Sequence, residues 1–158
     1  MNSIVVRRLG AGDLDALRAM NALFGEVFED QQSYAATPPD DSYLERLARQ
    51  EQFIALSALI DDELAGCLAA YEMVKFEQQR SEIYIYDLAV REEFRRRGLA
   101  TALIEALKPI ARDCGAWMIF VQADLIDEPA VALYDKLGMR EEVLHFDISP
   151  AAGRSPKR

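Results

Sequence analysis

A short basic turn between an apolar stretch and a helical pattern constrains this chain more than any other feature. Residues 83–90 are apolar apart from Asp87, residues 95–98 read Arg-Arg-Arg-Gly, and apolar residues recur at helical spacing from about Thr101. The first turn of a helix carries N–H groups without intrahelical partners, and the helix dipole favours negative charge there. Gly98 leaves room for an anion to approach the backbone, and the arginines add positive charge. This order indicates either a phosphate-binding turn or an ordinary connection with solvated arginines.

Length and composition predict a single domain. The chain has 158 residues, of which 51% are apolar and 28% charged, a globular composition that can bury one core. No apolar run is long enough to span a bilayer, and the first ten residues lack the organisation of a signal peptide. We therefore expect one domain over residues 1–148, a polar tail over 149–158, a cytoplasmic location and no membrane partner.

The net charge and the small number of histidine and cysteine residues limit which partners and metals the chain is expected to bind. A net charge of −9 argues against nucleic acid, because phosphate contacts need a basic face, and it suits a cationic partner. His145 is the only histidine, and Cys67 and Cys114 have no zinc-site spacing. We expect no nucleic-acid partner and no metal.

Hydrophobic periodicity predicts an α/β fold of the α+β kind. Strands are expected over residues 4–9, 53–60, 64–74, 82–90, 117–123 and 142–148, with the fifth of these buried. Helices are expected over residues 14–29 and 42–50, after the basic turn as far as Gly115, and over 128–137, with a loop over 30–41. Antiparallel strands followed by two crossovers predict a mixed central sheet with helices on both faces.

Three motifs in this order resemble the GNAT superfamily of acyl-CoA N-acyltransferases. Arg95-x-x-Gly98-x-Ala100 matches that superfamily's pyrophosphate turn, and the sequence Asp-Leu-Ala-Val at 87–90 matches the end of its central strand. The pattern Ala130-x-x-Leu133-Tyr134-x-x-x-Gly138 matches the helix that carries a tyrosine near the thioester. The resemblance implies a single domain whose central strands splay apart, acetyl-CoA as co-substrate, and a homodimer.

Longer blocks are similar to the aminoglycoside 3-N-acetyltransferases of the gentamicin-modifying type. These blocks are residues 75–78, 81–90, 127–134 and 140–143. The resemblance implies transfer of an acetyl group from acetyl-CoA to the amine at position 3 of the 2-deoxystreptamine ring of a small polycationic substrate.

The resemblance also implies which residues bind acetyl-CoA. Pantetheine is expected to fill the gap beside the central strand like an extra strand, with main-chain hydrogen bonds from Leu88 and Val90 and with the Leu88 N–H as oxyanion donor. We expect at least one of Arg96 and Arg97 to be solvent-exposed, and Asp127, which stands where the superfamily often has asparagine, to cap a helix as its alternative role. The full set implied for the cofactor is Leu88, Ala89, Val90, Arg95, Arg96, Arg97, Gly98, Leu99, Ala100, Thr101, Asp127, Ala130 and Tyr134.

Two side chains are candidates for the chemistry. Tyr134 is the candidate general acid for the CoA thiolate, and its alternative role is that of a core aromatic. Asp87, the lone charge in an apolar strand, is the candidate for orienting the amine and accepting its proton, with a structural role in capping a bulge as the alternative. The base is unsettled, because Tyr84 stands where some superfamily members have a glutamate, and Glu82 and Asp124 are substitutes.

A polycationic substrate needs further carboxylates. Asp124 is the preferred candidate, with Glu82 as a second, and any single loop acid is expected to be solvated. The loop acids considered are Glu29, Asp30, Asp40 and Asp41.

Other functions fit the same residues. A linear polyamine would suit the acidic balance equally well, and a non-catalytic acyl-CoA sensor would keep the basic turn. Acetylation of protein N-termini is a third alternative.

Overall fold

The computed structural model describes residues 3–151 and residue 153. They form two compact units, which divide between Gln122 and Ala123. The expected tail over 149–158 falls mostly on residue 152 and residues 154–158, which lie outside the described residues. Within the described residues, no helix is both long and apolar enough to cross a membrane.

The first unit is built on a mixed sheet, as the sequence predicted. Its strands within the described residues follow the order β1-β2-β3-β4-β5, antiparallel from β1 to β4 and parallel between β4 and β5. The fifth strand is shorter than predicted and is not buried, since Trp117 is 51% and Met118 43% exposed. The strands are β1 Ile4–Leu9, β2 Phe53–Ile60, β3 Glu63–Val74, β4 Ser81–Val90 and β5 Ala116–Val121.

Helices cover both faces of this sheet, which confirms the expected architecture. α1 (Leu14–Val27) packs its buried side chains against Cys67, Ala69 and Ala89 of the sheet. α4 (Leu99–Asp113) packs on the opposite face, because its Leu103 lies over Gly66, whose position alternates with that of Cys67. A 3₁₀ turn, Glu92–Phe94, precedes the basic turn, and α3 spans Asp41–Ala48.

The prediction of a loop over residues 30–41 is wrong in part, because this segment contains a short helix, α2 (Gln31–Tyr34). Asp30 caps it by accepting a hydrogen bond from the Ser33 N–H at 3.0 Å. Tyr34 then packs against the rings of Phe24 and Phe28 on α1, with centroid distances of 5.9 Å in both cases. Such a short helix depends on these tertiary contacts, and the local pattern of apolar residues does not reveal it.

A β-bulge in β4 decides which side chains share a face. Ala69 of β3 pairs with Asp87 and Ala70 pairs with Ile85, so Tyr86 is an extra residue without a partner in β3. The ring of Tyr86 contacts the rings of both Tyr71 and Tyr84. The bulge therefore brings Tyr86 and Asp87, although consecutive in sequence, to the same face of the sheet.

The strands β4 and β5 separate as the superfamily resemblance implied. Their pairing ends at Ile85 and Val121, whereas β4 continues to Val90. Residues 86–90 therefore have no strand partner on the β5 side within the described part of the chain. The separation leaves one edge of β4 open.

The second unit contains one helix, α5 (Glu128–Leu137), among its described residues. The strand predicted over 142–148 is wrong: these residues form no regular structure. Their apolar side chains are exposed, with Leu144 at 83%, Phe146 at 76% and Ile148 at 89%. Alternating apolar residues can supply the two faces of a strand, but they do not supply the hydrogen-bonding partner that makes one.

Candidate active site

The basic turn ends at the N-terminus of α4, whose first N–H groups have no acceptor among the described residues. Gly98 is the N-cap of α4, has a left-handed φ of 83° and provides no side-chain cap. The first backbone bond of the helix is donated by Ala102 to the Gly98 carbonyl at 2.9 Å. In the described chain, the N–H groups of Leu99, Ala100 and Thr101 have no hydrogen-bond acceptor. The turn therefore presents free donors and a positive dipole end to an anion.

The three arginines of the turn lie at its rim. All three are exposed, which confirms the expectation for Arg96 and Arg97. Arg97 stacks over the Phe94 ring at 5.4 Å, and the Arg95 Nε donates to the Val90 carbonyl at 3.4 Å. Exposed guanidinium groups add positive potential without forming a fixed pocket.

The open edge of β4 presents the main chain of two residues. The Arg91 N–H donates to the Ala65 carbonyl of β3 at 2.9 Å. Because main-chain groups alternate along a strand, those of Ala89 also turn toward β3, and those of Leu88 and Val90 turn toward the open side. The Leu88 N–H is therefore available at the edge, as an oxyanion donor would have to be. Ala89 instead buries its methyl group.

Asp87 lies on the α1 face, directly before Leu88. Its Oδ1 accepts a hydrogen bond from the Tyr34 hydroxyl at 2.9 Å, and no lysine or arginine of the described residues forms an ion pair with it. Burial raises the pKa of this carboxyl, and the hydrogen bond from Tyr34 opposes that shift. A half-buried carboxylate without a cation is costly, and a cationic ligand would stabilise it.

Aromatic side chains continue the surface on which Asp87 lies. Tyr84 stacks on Phe120 at 4.7 Å and contacts Tyr86 at 5.6 Å, and Tyr86 meets the edge of Tyr71 at 6.0 Å. Tyr71 is 38% and Tyr86 55% exposed. Burial and, to a smaller extent, the negative charge of Asp87 raise the pKa of Tyr71, so the two side chains are electrostatic neighbours. Exposed aromatic faces beside a carboxylate suit a ligand that is both cyclic and cationic.

Sequence reasoning missed Tyr34, Tyr71 and Tyr86 as members of this site. Simple alternation would put Tyr86 and Asp87 on opposite faces, and only the bulge unites them. Tyr34 lies in a segment without periodicity, 53 residues before Asp87. The one available signal was the aromatic content of residues 84–86, which stands directly before the lone charge.

Glu82 is not brought next to Asp87. Its carboxylate pairs with the Lys75 ammonium at 3.5 Å and accepts a hydrogen bond from Trp117 Nε1 at 3.3 Å. It lies five positions before Asp87 in β4, a distance of about 16 Å along the strand. The Tyr84 hydroxyl donates to Gln122 Oε1 at 2.8 Å.

The loop acids have local partners. Asp40 accepts from the Tyr43 N–H at 2.8 Å and so caps α3, as Asp30 caps α2. Asp41 forms an ion pair with Arg18, and Glu29 is exposed with a left-handed φ of 53°. These contacts give Asp30, Asp40 and Asp41 structural roles.

In the second unit, three predicted residues lie in or before α5. Asp127 caps the helix by accepting from the Ala130 N–H at 3.2 Å, its expected alternative role. Burial, followed by the negative charge of Asp127, raises the pKa of Tyr134. Asp124 is exposed, and its carbonyl accepts from the Asp127 N–H at 2.9 Å.

No cluster of three or more histidine, cysteine, aspartate or glutamate side chains suitable for a metal occurs among the described residues.

Solved structures similar to this chain include two aminoglycoside acetyltransferases from uncultured soil metagenomic samples. One is 54% identical with a TM-score of 0.92, and the match covers 94% of this chain and 99% of that one. The other, solved in complex with sisomicin, is 29% identical with a TM-score of 0.87, and the match covers 94% and 97%.

A curated relative has a different acceptor in its name. It is the N-alpha-acetyltransferase of Saccharolobus solfataricus, 33% identical over 95 residues, which are 53% of this chain and 54% of the relative. The chain thus spans about half the length of that relative. Residues 17–139 match the model of the acetyltransferase (GNAT) family. With the free helix N-terminus and the open edge of β4 in place, this match means that the chain belongs to the GNAT family of acetyltransferases, which use acetyl-CoA.

Proposed function

We propose that this protein transfers the acetyl group of acetyl-CoA to the 3-amino group of an aminoglycoside and so confers resistance to the antibiotic. The observation that carries the proposal is Asp87, a half-buried carboxylate without a cation among the described residues, one residue before the open main chain of Leu88. The similarity to two aminoglycoside acetyltransferases supports the acceptor class.

The donor is proposed to bind along the turn and the open strand edge. The free N–H groups of residues 99–101 fit the pyrophosphate of acetyl-CoA, and the arginines add charge at the rim. The main-chain groups of Leu88 and Val90 fit the amides of pantetheine in the way that a neighbouring strand would. Because these contacts are made by backbone atoms, the proposed donor site does not require particular side chains. Gly98 serves it through its left-handed backbone conformation.

The acceptor is proposed to bind over the aromatic surface with one ammonium group at Asp87. The carboxylate attracts the cation, orients the amine and takes up its proton, either directly or through water. Burial raises the pKa of Asp87, which brings it closer to that of the amine and improves it as a base. Tyr71 and Tyr86 offer exposed ring faces to the sugar and to its other ammonium groups.

The reaction is then a direct attack of the neutral amine on the thioester carbonyl. The new C–N bond forms as charge develops on the carbonyl oxygen, which the Leu88 N–H stabilises. Collapse breaks the C–S bond, Tyr134 is proposed to protonate the departing CoA thiolate, and the proton that the attacking nitrogen loses as the amide forms returns through water to the Tyr134 phenolate. The raised pKa of Tyr134 keeps its phenol protonated at neutral pH, the form that a general acid requires. The products are the N-acetylated aminoglycoside and CoA.

Asp124 and Glu82 remain proposals as secondary acceptor contacts. Asp124 is exposed and could bind a further ammonium group, and Asp124→Asn is expected to raise KM for the aminoglycoside a few-fold. Glu82 is proposed to contribute less, because Lys75 already pairs with its carboxylate at 3.5 Å.

We also propose that the enzyme is a homodimer in the cytoplasm, since superfamily members often form dimers. Light scattering coupled to size exclusion would give the mass in solution directly. A monomer of 17.8 kDa at micromolar concentration would contradict the dimer.

Acetylation of protein N-termini is a second candidate, favoured by the N-alpha-acetyltransferase relative. A peptide N-terminus presents one ammonium group on a linear chain, whereas an aminoglycoside presents several on rings. The aromatic surface beside Asp87 suits the rings better.

An acceptor panel tests these functions. Thiol release from acetyl-CoA would be followed with gentamicin, kanamycin, spermidine and a peptide with a free N-terminal alanine. We expect the highest kcat/KM with an aminoglycoside, and the product's NMR spectrum should show acetylation at the 3-amine. A higher kcat/KM with spermidine or the peptide would mean that the acceptor is not an aminoglycoside. Acetylation at another amine of the aminoglycoside would contradict the proposed 3-amino position. Binding of acetyl-CoA without turnover of any amine would favour a non-catalytic acyl-CoA sensor.

A further inference from the structure

Gly25 lies near the end of α1 and allows the next helix to close against it. A Cβ atom on this residue would lie 3.0 Å from the Cβ of Tyr34 and 3.4 Å from Gln31 Nε2. The first of these contacts is with the stem of a side chain that is itself held in place, so it cannot be relieved by a simple rotation. Glycine is unfavourable inside a helix, and here the close approach of α2 gives a physical reason for it.

The carbonyl, the ring and the hydroxyl of Tyr34 are each held by a neighbouring group. Its carbonyl accepts a hydrogen bond from Asn21 Nδ2 at 3.3 Å, and its ring packs against Phe24 and Phe28 of α1. Its hydroxyl donates to Asp87 Oδ1 at 2.9 Å. One side chain thus connects the α1–α2 corner to the bulge of β4.

We infer that Tyr34 is a positioning residue for Asp87: the packing of α2 on Gly25 holds the Tyr34 hydroxyl on one carboxylate oxygen, so that the other oxygen is presented to the acceptor amine. This inference rests on the proposed role of Asp87. It adds a positioning residue behind the proposed acceptor site and gives the four-residue helix α2 a role there.

The surroundings of Asp87 make this hydrogen bond important for its charge. The titratable groups that face it are Tyr34 from α2, Cys67 and Tyr71 from β3, and the neighbouring Tyr86 of β4. Burial raises the pKa of Cys67, Tyr34 and Tyr71, so these groups are neutral at pH 7.

No described cation compensates the carboxylate directly. The positive charge of Arg91 is close enough to lower the pKa of Cys67, but its guanidinium forms an ion pair with Glu63 at 3.0 Å. The Tyr34 hydroxyl is therefore the contact that stabilises the ionised form of Asp87, and its loss should raise the pKa of the carboxyl.

The first test is Tyr34→Phe, which removes the hydroxyl and keeps the ring. A hydrogen bond to an ionised group accounts for a shift of about one pH unit, so we expect the pKa of Asp87 to rise by that amount. The readout is a carbon-13 NMR titration of the free protein, with Asp87→Asn to assign the signal. In parallel, the acidic limb of the kcat/KM profile for the aminoglycoside should move to higher pH by the same amount, while the Kd for acetyl-CoA stays constant.

Tyr43→Phe is the matched control. Tyr43 is 51% exposed on α3 and makes no hydrogen bond to Asp87, so the same chemical change there should leave both titrations in place. Superimposable NMR titrations of wild type and Tyr34→Phe would overturn the inference. If the wild type turns over no amine at all, the proposed function fails, yet the NMR titration still decides the role of Tyr34.

A second variant moves the Tyr34 hydroxyl without changing Tyr34 itself. Gly25→Ala should displace Tyr34 through its Cβ and raise the pKa of Asp87 in the same direction. Because both changes act through one hydrogen bond, the double variant should shift the titration no further than Tyr34→Phe alone. Additive shifts, or no shift in a folded Gly25→Ala protein, would contradict the proposed path from α1 to Asp87, and this variant also provides the test if Tyr34→Phe does not fold.

Discussion

The basic turn and the proposed acceptor surface, which consists of Asp87 and the aromatic rings around it, are built in opposite ways. The turn is contiguous in sequence, and its donors are backbone N–H groups at the start of α4, which any residue other than proline can supply. The acceptor surface is assembled from α2, β3, β4 and β5, and its chemistry lies in side chains, above all Asp87 and the tyrosines around it. A local motif is therefore enough to predict the proposed donor site, whereas the proposed acceptor site depends on register and packing. The two sites should also respond differently to mutation.

The largest expected effect is on the acceptor side. Asp87→Asn keeps the shape of the side chain but removes its charge and its capacity to accept a proton, so kcat/KM for the aminoglycoside should fall by about 100-fold or more. Steady-state kinetics and calorimetric titration of acetyl-CoA would measure the two sites separately, and the Kd for acetyl-CoA should not change. Asp113→Asn, at the exposed end of α4, is the matched control. An equal loss of acetyl-CoA affinity would break the separation between the two regions.

Tyr134→Phe should have the next largest effect. Removal of the phenolic proton is expected to lower kcat by about 10- to 100-fold, because the thiolate must then be protonated by water. Affinity for acetyl-CoA should remain nearly constant, which equilibrium binding would check. An unchanged kcat would leave Tyr134 as a packing residue of α5 and restrict the side-chain chemistry to the acceptor surface.

Gly98→Val tests the donor side at a position whose backbone conformation favours glycine. Gly98 has a φ of 83°, a conformation that costs a β-branched residue about 1–2 kcal/mol. Straightening the turn should raise KM for acetyl-CoA about tenfold, and KM for the aminoglycoside should not change. Gly12→Val is the control, since Gly12 has no positive φ and a Cβ there would meet open space. A larger effect on the aminoglycoside than on acetyl-CoA would contradict the assignment of the turn.

The smallest expected effect is that of Arg97→Gln. Its guanidinium is exposed and stacks on Phe94, so its contribution is a screened one. KM for acetyl-CoA should rise by less than about threefold, and the difference should diminish as salt is added from 0.05 to about 0.5 M. A change of 30-fold that persists in salt would mean that a specific side-chain contact, rather than the backbone, holds the pyrophosphate.

Local sequence was sufficient for the elements that depend on local rules. The boundaries of β2, the glycine that ends α4 and the proline-containing start of α5 agree with the structure, because alternation, caps and breakers act within a few residues. The predicted strand over 142–148 failed because a strand needs a partner as well as a pattern. The predicted loop over 30–41 missed α2, because only packing on Phe24, Gly25 and Phe28 stabilises so short a helix.

The sequence by itself determined the turn that we propose as the donor site: a strand, a glycine-bearing basic turn and a helix start are contiguous, and the N–H groups proposed to bind the anion belong to the backbone. It also identified Asp87, because a lone charge in an apolar strand stands out without any structure. Only the tertiary structure decided what surrounds that charge. A one-residue bulge turned Tyr86 to the same face as Asp87, and the corner between α1 and α2 brought the Tyr34 hydroxyl to the carboxylate across 53 residues. Register and long-range packing are cooperative properties of the whole sheet and its helices, and no short segment contains them.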